Sequence, residues 1–192
     1  MIQSIIFSLG LIWGVPSEGK ETLKANTTAS TIAWVAKKVG GQHDGIVNLK
    51  EGSLEVTDNV ITGGSFVIDM TSLECKDLTG EYKGKLEGHL KSDDFFAVAS
   101  NPIASFVVTS AIPQGTGLYK IVGNLTIKGI TKEIKFPATV TTEGNKTTAN
   151  ANITVDRSEF NVRYGSSSFF EGLGDKVIYD DFTLAVTLVA SK

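Results

Sequence analysis

A two-residue rhythm constrains this chain more than any other feature. In the run Ile178, Asp180, Phe182, Leu184, Val186 and Leu188, every second residue but one is apolar. Side chains of a strand point alternately to its two faces, so such a run is a half-buried strand. The rhythm recurs in Ile32, Trp34 and Ala36, and in Ile46 and Asn48 set against Val47 and Leu49. It returns in Leu54 and Val56, in Phe66, Ile68 and Met70, and in Phe106 and Val108 running on to Ile112. Ile121, Leu125 and Ile127 follow, then Ile130, Ile134 and Phe136, then Ala149, Ala151, Ile153 and Val155. Glu51-Gly52, Asp58-Asn59 and Gly129 read as turns, and Pro113 and Pro137 as strand stops. About eight strands at even spacing predict an antiparallel barrel or sandwich. An eight-stranded barrel can enclose one small or elongated ligand.

One stretch breaks the rhythm. Over residues 77–92, Tyr82, Leu86 and Leu90 recur every four residues, the stripe of a short helix. Lys83, Glu87 and Lys91 share that spacing and predict a charged, exposed side. Asp93-Asp94-Phe95-Phe96 then reads as a capped turn, and Asn101-Pro102 closes the irregular region.

The amino-terminal thirty residues read differently. Residues 2–15 hold an apolar run of signal-peptide length, too short for a comfortable span of about 20 residues. Residues 16–30 are polar and read as a linker, so the domain boundary falls at Thr31 and residues 31–192 form the barrel. The expectation is a secretory leader, with residues 1 to about 19 removed from the mature protein. No Lys or Arg precedes the run and no small-x-small cleavage site follows it, so a simple tail or a leader with a misassigned start is the alternative.

Composition removes several functions. A net charge of −3, from 18 basic and 21 acidic residues, gives no broad basic face for nucleic acid. One cysteine, Cys75, allows neither an internal disulfide nor a Cys-based metal cluster, and two histidines cannot build a three-histidine zinc site. No Gly-x-Ser-x-Gly elbow, phosphate loop or His-Glu-x-x-His motif is present. The reading is therefore no catalytic residues, no metal and no cofactor. Asp156-Arg157 at a strand end reads either as an ion pair or helix cap, or as a site for phosphate or carboxylate.

Five segments, in order, carry a family resemblance: Trp34, Lys37-Lys38 and His43-x-Gly45; Phe66 to Leu73; His89-Leu90-Lys91-Ser92-Asp93-Asp94-Phe95-Phe96 with Pro102 and Phe106; Gly123 to Lys132 with Pro137; and Asp156 to Tyr164. Together they resemble the YceI-like family of bacterial, lipocalin-like proteins. The resemblance spans residues 31 to about 190; Ala97-Val98-Ala99 departs from the family's more acidic pattern. It implies an all-β fold: an eight-stranded antiparallel lipocalin-like barrel with a short helical insert. It also implies non-enzymatic binding, storage or transport of a long isoprenoid lipid, a polyprenyl phosphate or isoprenoid quinone, in a periplasmic or otherwise secreted protein. Membrane contact would come only through ligand exchange, and a homodimer is an open alternative. Phe66, Ile68, Phe106, Val108, Ile121, Leu125, Phe182 and Leu184 are then candidates for the apolar channel. Lys38, His43, His89, Asp94 and Arg157, from the matching segments, are candidates for the ligand's polar end. The alternatives are an enzyme acting on a lipid-like substrate and a stress-response protein with an incidental cavity.

Overall fold

A computed structural model describes residues 19–192. The expected leader lies outside the described residues. Nine strands and one α-helix follow in order: β1 (Lys20–Ala25), β2 (Thr31–Lys38), β3 (Gly41–Thr57), β4 (Val60–Cys75), α1 (Gly80–Lys91), β5 (Ile103–Gly115), β6 (Leu118–Ile127), β7 (Ile130–Glu143), β8 (Lys146–Asp156) and β9 (Ile178–Ser191). Strands β2 to β9 pair antiparallel with their neighbours, and β2–β9 pairing through Trp34↔Leu184 closes an eight-stranded barrel.

Residues 20–25, expected as linker, are strand β1, so the barrel begins at Lys20 rather than Thr31. β1 and β2 act as two halves of one interrupted strand. β1 pairs with the later part of β3 (Leu23↔Leu54) and with the end of β9 (Ala25↔Ala190). β2 pairs with the early part of β3 (Ile32↔Val47). Between them Asn26 turns the chain, its side-chain carbonyl accepting from the N–H groups of Thr28 and Ala29.

Other breaks expected from local signals are not breaks. Glu51-Gly52 lies inside β3, beside a register shift between Leu49 and Glu51 that bends the strand without ending it. Pro113 and Pro137 lie within β5 and β7. Pro137 sits one residue beyond the end of the β7–β8 ladder, where the strand has lost one partner and a missing N–H costs little. Asp58 and Asn59 do turn the β3–β4 hairpin, both with positive φ, as a tight twisted turn requires.

α1 follows β4 and lies against it. Leu86 and Leu90 pack on the core, but Tyr82 at the start of the stripe is largely exposed. The charged row is not free in solvent. Lys83 bonds Glu74 of β4 at 2.6 Å, and Glu87 accepts the Cys75 backbone N–H at 2.8 Å. Lys83 and Lys76 together hold the Glu74 carboxyl down to about 2.

Because neighbouring strands alternate in direction, the β2–β3 turn, the end of β4, α1, and the connection from β8 to β9 gather at one end of the barrel, here called the helix end. β1 and the β3–β4, β5–β6 and β7–β8 turns gather at the other.

Candidate functional site: an apolar bore

The inward rows of all eight strands enclose one cavity of about 230 Å³. Apart from Ser30, Thr187, Tyr179 and Arg157, every lining residue is apolar. Eleven residues of β9, from Ile178 to Leu188, span about 25 Å of barrel axis at ~3.3 Å rise and ~40° tilt. Lining residues come from the whole of that span, so the cavity is an elongated bore along the barrel.

Glycines make room for the aromatic part of the wall. A Cβ on Gly45 would strike the Glu74 carbonyl and come within 2.5 Å of the Trp34 indole. A Cβ on Gly123 would collide with the Phe106 ring and lie 2.5 Å from the Val107 carbonyl. Both rings therefore lie flat on bare backbone and narrow the bore without blocking it. Trp34 also donates its Nε1–H to the Ile46 carbonyl at 3.3 Å, so its one polar atom is satisfied.

Phe66, Ile68, Phe106, Val108, Ile121, Leu125, Phe182 and Leu184 all line this bore. The two-residue rhythm finds them because strand alternation and barrel curvature impose one inward row per strand. It passes over Leu90, Phe95 and Phe96, which line the helix end from α1 and the turn after it, where no rhythm operates.

The five polar candidates lie toward the helix end but do not converge. Only Arg157 reaches the bore. Its guanidinium is 3% exposed. It donates to the backbone carbonyls of Val162, Ile178 and Tyr179 at 2.8, 2.9 and 3.2 Å and lies over the Phe95 ring. Asp180 Oδ1 stands 3.2 Å from its Nη2, off the line of an N–H bond, so the attraction is coulombic; Oδ2 accepts from Ser168 Oγ at 2.7 Å. Burial lowers the pKa of Arg157, and Asp180 and Asp156 offset this. Asp156 caps the following 3-10 turn by accepting from the Ser158 N–H. Both structural readings of Asp156-Arg157 therefore hold: the pair ties the β8–β9 connection across the barrel end. Asp180 was legible as the one carboxylate in the inward row of β9.

His43 is half-buried on β3, with Nδ1 2.8 Å from Asp77 Oδ2. Asp77 also accepts from the Asp44 N–H and from Cys75 Sγ–H, both at 3.0 Å. Burial alone would raise the Asp77 pKa, but the bonds from Cys75, Asp44 and His43 outweigh it and hold the carboxylate far below its usual range. Burial and Asp77 push the Cys75 thiol up, so it is a packed residue and not a thiolate nucleophile. Lys38 is exposed at the end of β2. His89, on α1, packs edge-on against Tyr164 and Phe95, with ring centroids 4.3 and 5.8 Å away. Asp94 is exposed. Among the described residues, no three His, Cys, Asp or Glu side chains cluster in a way that could hold a metal ion.

A closed barrel whose interior is a narrow apolar bore defines a lipocalin-like barrel. More particularly, the chain belongs to the YceI-like family, whose domain model matches residues 23–190. A UPF0312 protein of Shewanella denitrificans is 43% identical over 56 residues, 29% of either chain. One from Pseudomonas putida is 33% identical over 81 residues, 39% of this chain and 42% of that one. The matched stretches thus cover less than half the length of these curated relatives. Among solved structures, Burkholderia cenocepacia BcnA superposes with a TM-score of 0.67 at 22% identity, covering 87% of this chain and 99% of that one. A domain from Saccharophagus degradans described as polyisoprenoid-binding gives 0.64 at 14% identity, covering 91% and 99%. These structures share the fold.

Proposed function

We propose that this protein is a non-enzymatic carrier or store of one long isoprenoid lipid, held lengthwise in the bore. The observation that carries the reading is an elongated bore lined almost wholly by apolar side chains from all eight strands. Each buried CH₂ of a ligand contributes about 0.8 kcal/mol, so a long tail gains ample affinity without specific contacts. The description of the Saccharophagus domain as polyisoprenoid-binding supports the same class of ligand. A carrier has no need of the nucleophile–base pair that the sequence lacks. The site residues of this reading are the eight lining side chains from Phe66 to Leu184. A periplasmic or otherwise secreted location, with membrane contact confined to ligand exchange, belongs to the same proposal. Among the described residues, no helix is long and apolar enough to cross a membrane.

The test is organic extraction of the purified protein followed by mass spectrometry, on wild type and on Leu125→Trp. Leu125 lines the bore, and a larger ring there obstructs it at a cost of about 1–3 kcal/mol, leaving the protein folded by circular dichroism. Wild type is expected to yield a prenyl lipid in near-stoichiometric amount and the variant little. Equal retention in the two proteins would place the lipid outside the bore.

A further inference from the structure

The barrel wall has a gap. The β7–β8 ladder runs from Glu143↔Lys146 only as far as Ala138↔Ala151. Beyond it, residues 130–137 of β7 pair with β6 alone, and residues 152–156 of β8 pair with β9 alone. The stretch of β8 without a β7 partner is about 17 Å long at ~3.3 Å per residue. It is bounded at the helix end by the 3-10 turn at Arg157–Phe160 and by Lys128 Nζ, which donates to the Asn161 carbonyl at 3.2 Å.

The outer surface is hollowed where the ladder ends. An open groove of about 840 Å³ runs over the outer surface of β6, β7, β8, β9 and β2. Ala138, Ala151, Val186 and Thr187, in the paired wall, and Phe136, just beyond the last β7–β8 pair, border both this groove and the bore, and Lys135, Pro137 and Asn152 carry the groove to the edge of the gap. Side chains pack closely near both ends of the bore. At the helix end Phe160, Val162 and Ser166 are wholly or almost wholly buried, and the donors of Arg157 are taken up by backbone carbonyls. At the other end Leu23 and Ala25 of β1 are buried together with Thr147 and Ala190. The β4–β5 ladder also stops early, at Gly64↔Val108, but buried Leu54 and Ile61 back it there.

The groove differs chemically from the bore. Lys120 and Lys135 line it together with Asn150 and Asn152. The pairs Lys120↔Pro137 and Val122↔Lys135 make the two lysines diagonal neighbours on the outer face of β6 and β7. Lys135 also bonds Glu133 at 2.8 Å, an exposed pair that an incoming anion can displace. Lysine ammonium groups and side-chain amides are donors for phosphate oxygens.

We infer that the tail of the bound lipid leaves the bore sideways through the β7–β8 gap, and that its anionic head group rests in the outer groove against Lys120 and Lys135. This rests on the isoprenoid-carrier reading, and moves the polar end away from the helix-end residues that the sequence suggested.

The experiment measures affinity for a long-chain polyprenyl monophosphate and for the alcohol of the same chain. It uses wild type, Lys120→Gln/Lys135→Gln, Lys38→Met/His43→Gln, and Lys24→Gln/Lys50→Gln as a control for net charge. Wild type is expected to prefer the phosphate. The groove variant should lose that preference by about five- to tenfold, the size of two exposed ion pairs, with affinity for the alcohol unchanged. The preference should also weaken with added salt. An unchanged preference in the groove variant overturns the inference and leaves the carrier reading standing. A loss confined to the Lys38/His43 variant overturns it in favour of the helix end, and an equal loss in the Lys24/Lys50 control reduces it to net charge. Wild-type protein that holds neither ligand removes the carrier reading and the inference together.

Discussion

At the scale of single residues, two polar clusters hold the helix end, the one around Arg157 buried and the one around Asp77 partly exposed. Arg157 serves one carbonyl of the β8–β9 connection and two at the start of β9, with Asp180 as its counter-charge. Removing one partner of a buried pair strands the other, at a cost of about 3–5 kcal/mol. Arg157→Met is expected to lose that much in denaturant unfolding, and adding Asp180→Leu to recover a substantial part. No recovery in the double variant would show that the carbonyl bonds carry the whole effect. The second cluster makes a prediction about pH. Asp77 has a folded-state pKa below its unfolded value, so the unfolded chain binds the proton more readily. The stabilisation is therefore present above about pH 4 and is lost as pH falls below the unfolded carboxylate value of ~3.9. Asp77→Asn should be less stable than wild type by about 1 kcal/mol at neutral pH, and the difference should shrink toward pH 3. A difference that stays constant with pH assigns the effect to packing.

At the scale of elements, the legible parts are those whose signal is local. β9 is a long alternating run, and Asp58-Asn59 is a turn that two positive-φ residues make by themselves. β1 was hidden because only Leu23 and Ala25 of its six residues are buried, too few to set up a rhythm, and their partners Leu54 and Ala190 lie far along the chain. The prolines misled for the same reason, since a strand tolerates proline where a neighbour is missing, and only the three-dimensional pairing shows where that is. The channel residues could be named from the sequence because one inward row per strand follows from alternation. A place for the polar end could not, because in the arrangement inferred above it depends on where a ladder stops. Two outcomes follow. A chain starting at Ala29 loses β1 and the burial of Leu23 and Ala25, and thermal unfolding should show a loss of about 2–4 kcal/mol; unchanged stability would return residues 20–25 to the linker that composition suggested. Gly123→Ala places a methyl against the Phe106 ring and the Val107 carbonyl, and should cost about 1–3 kcal/mol while shifting Phe106 into the bore and weakening tail binding.

At the scale of the whole molecule, closure depends on a pairing between the two extremes of the fold. Trp34 on β2 meets Leu184 on β9, and Ala25 on β1 meets Ala190. The strands are also made in the order in which they stand around the barrel, so each has its earlier neighbour waiting when it appears, except at this seam. During synthesis β2 must therefore remain single-sided until nearly the whole chain has been translated, with the apolar lining of the future bore open to water. Contacts this distant in sequence place folding among the slow topologies, at milliseconds to seconds or longer. The same seam gives the cell an interval in which the protein exists as an open apolar sheet, and throughout that interval a lipid and a chaperone compete for the same surface.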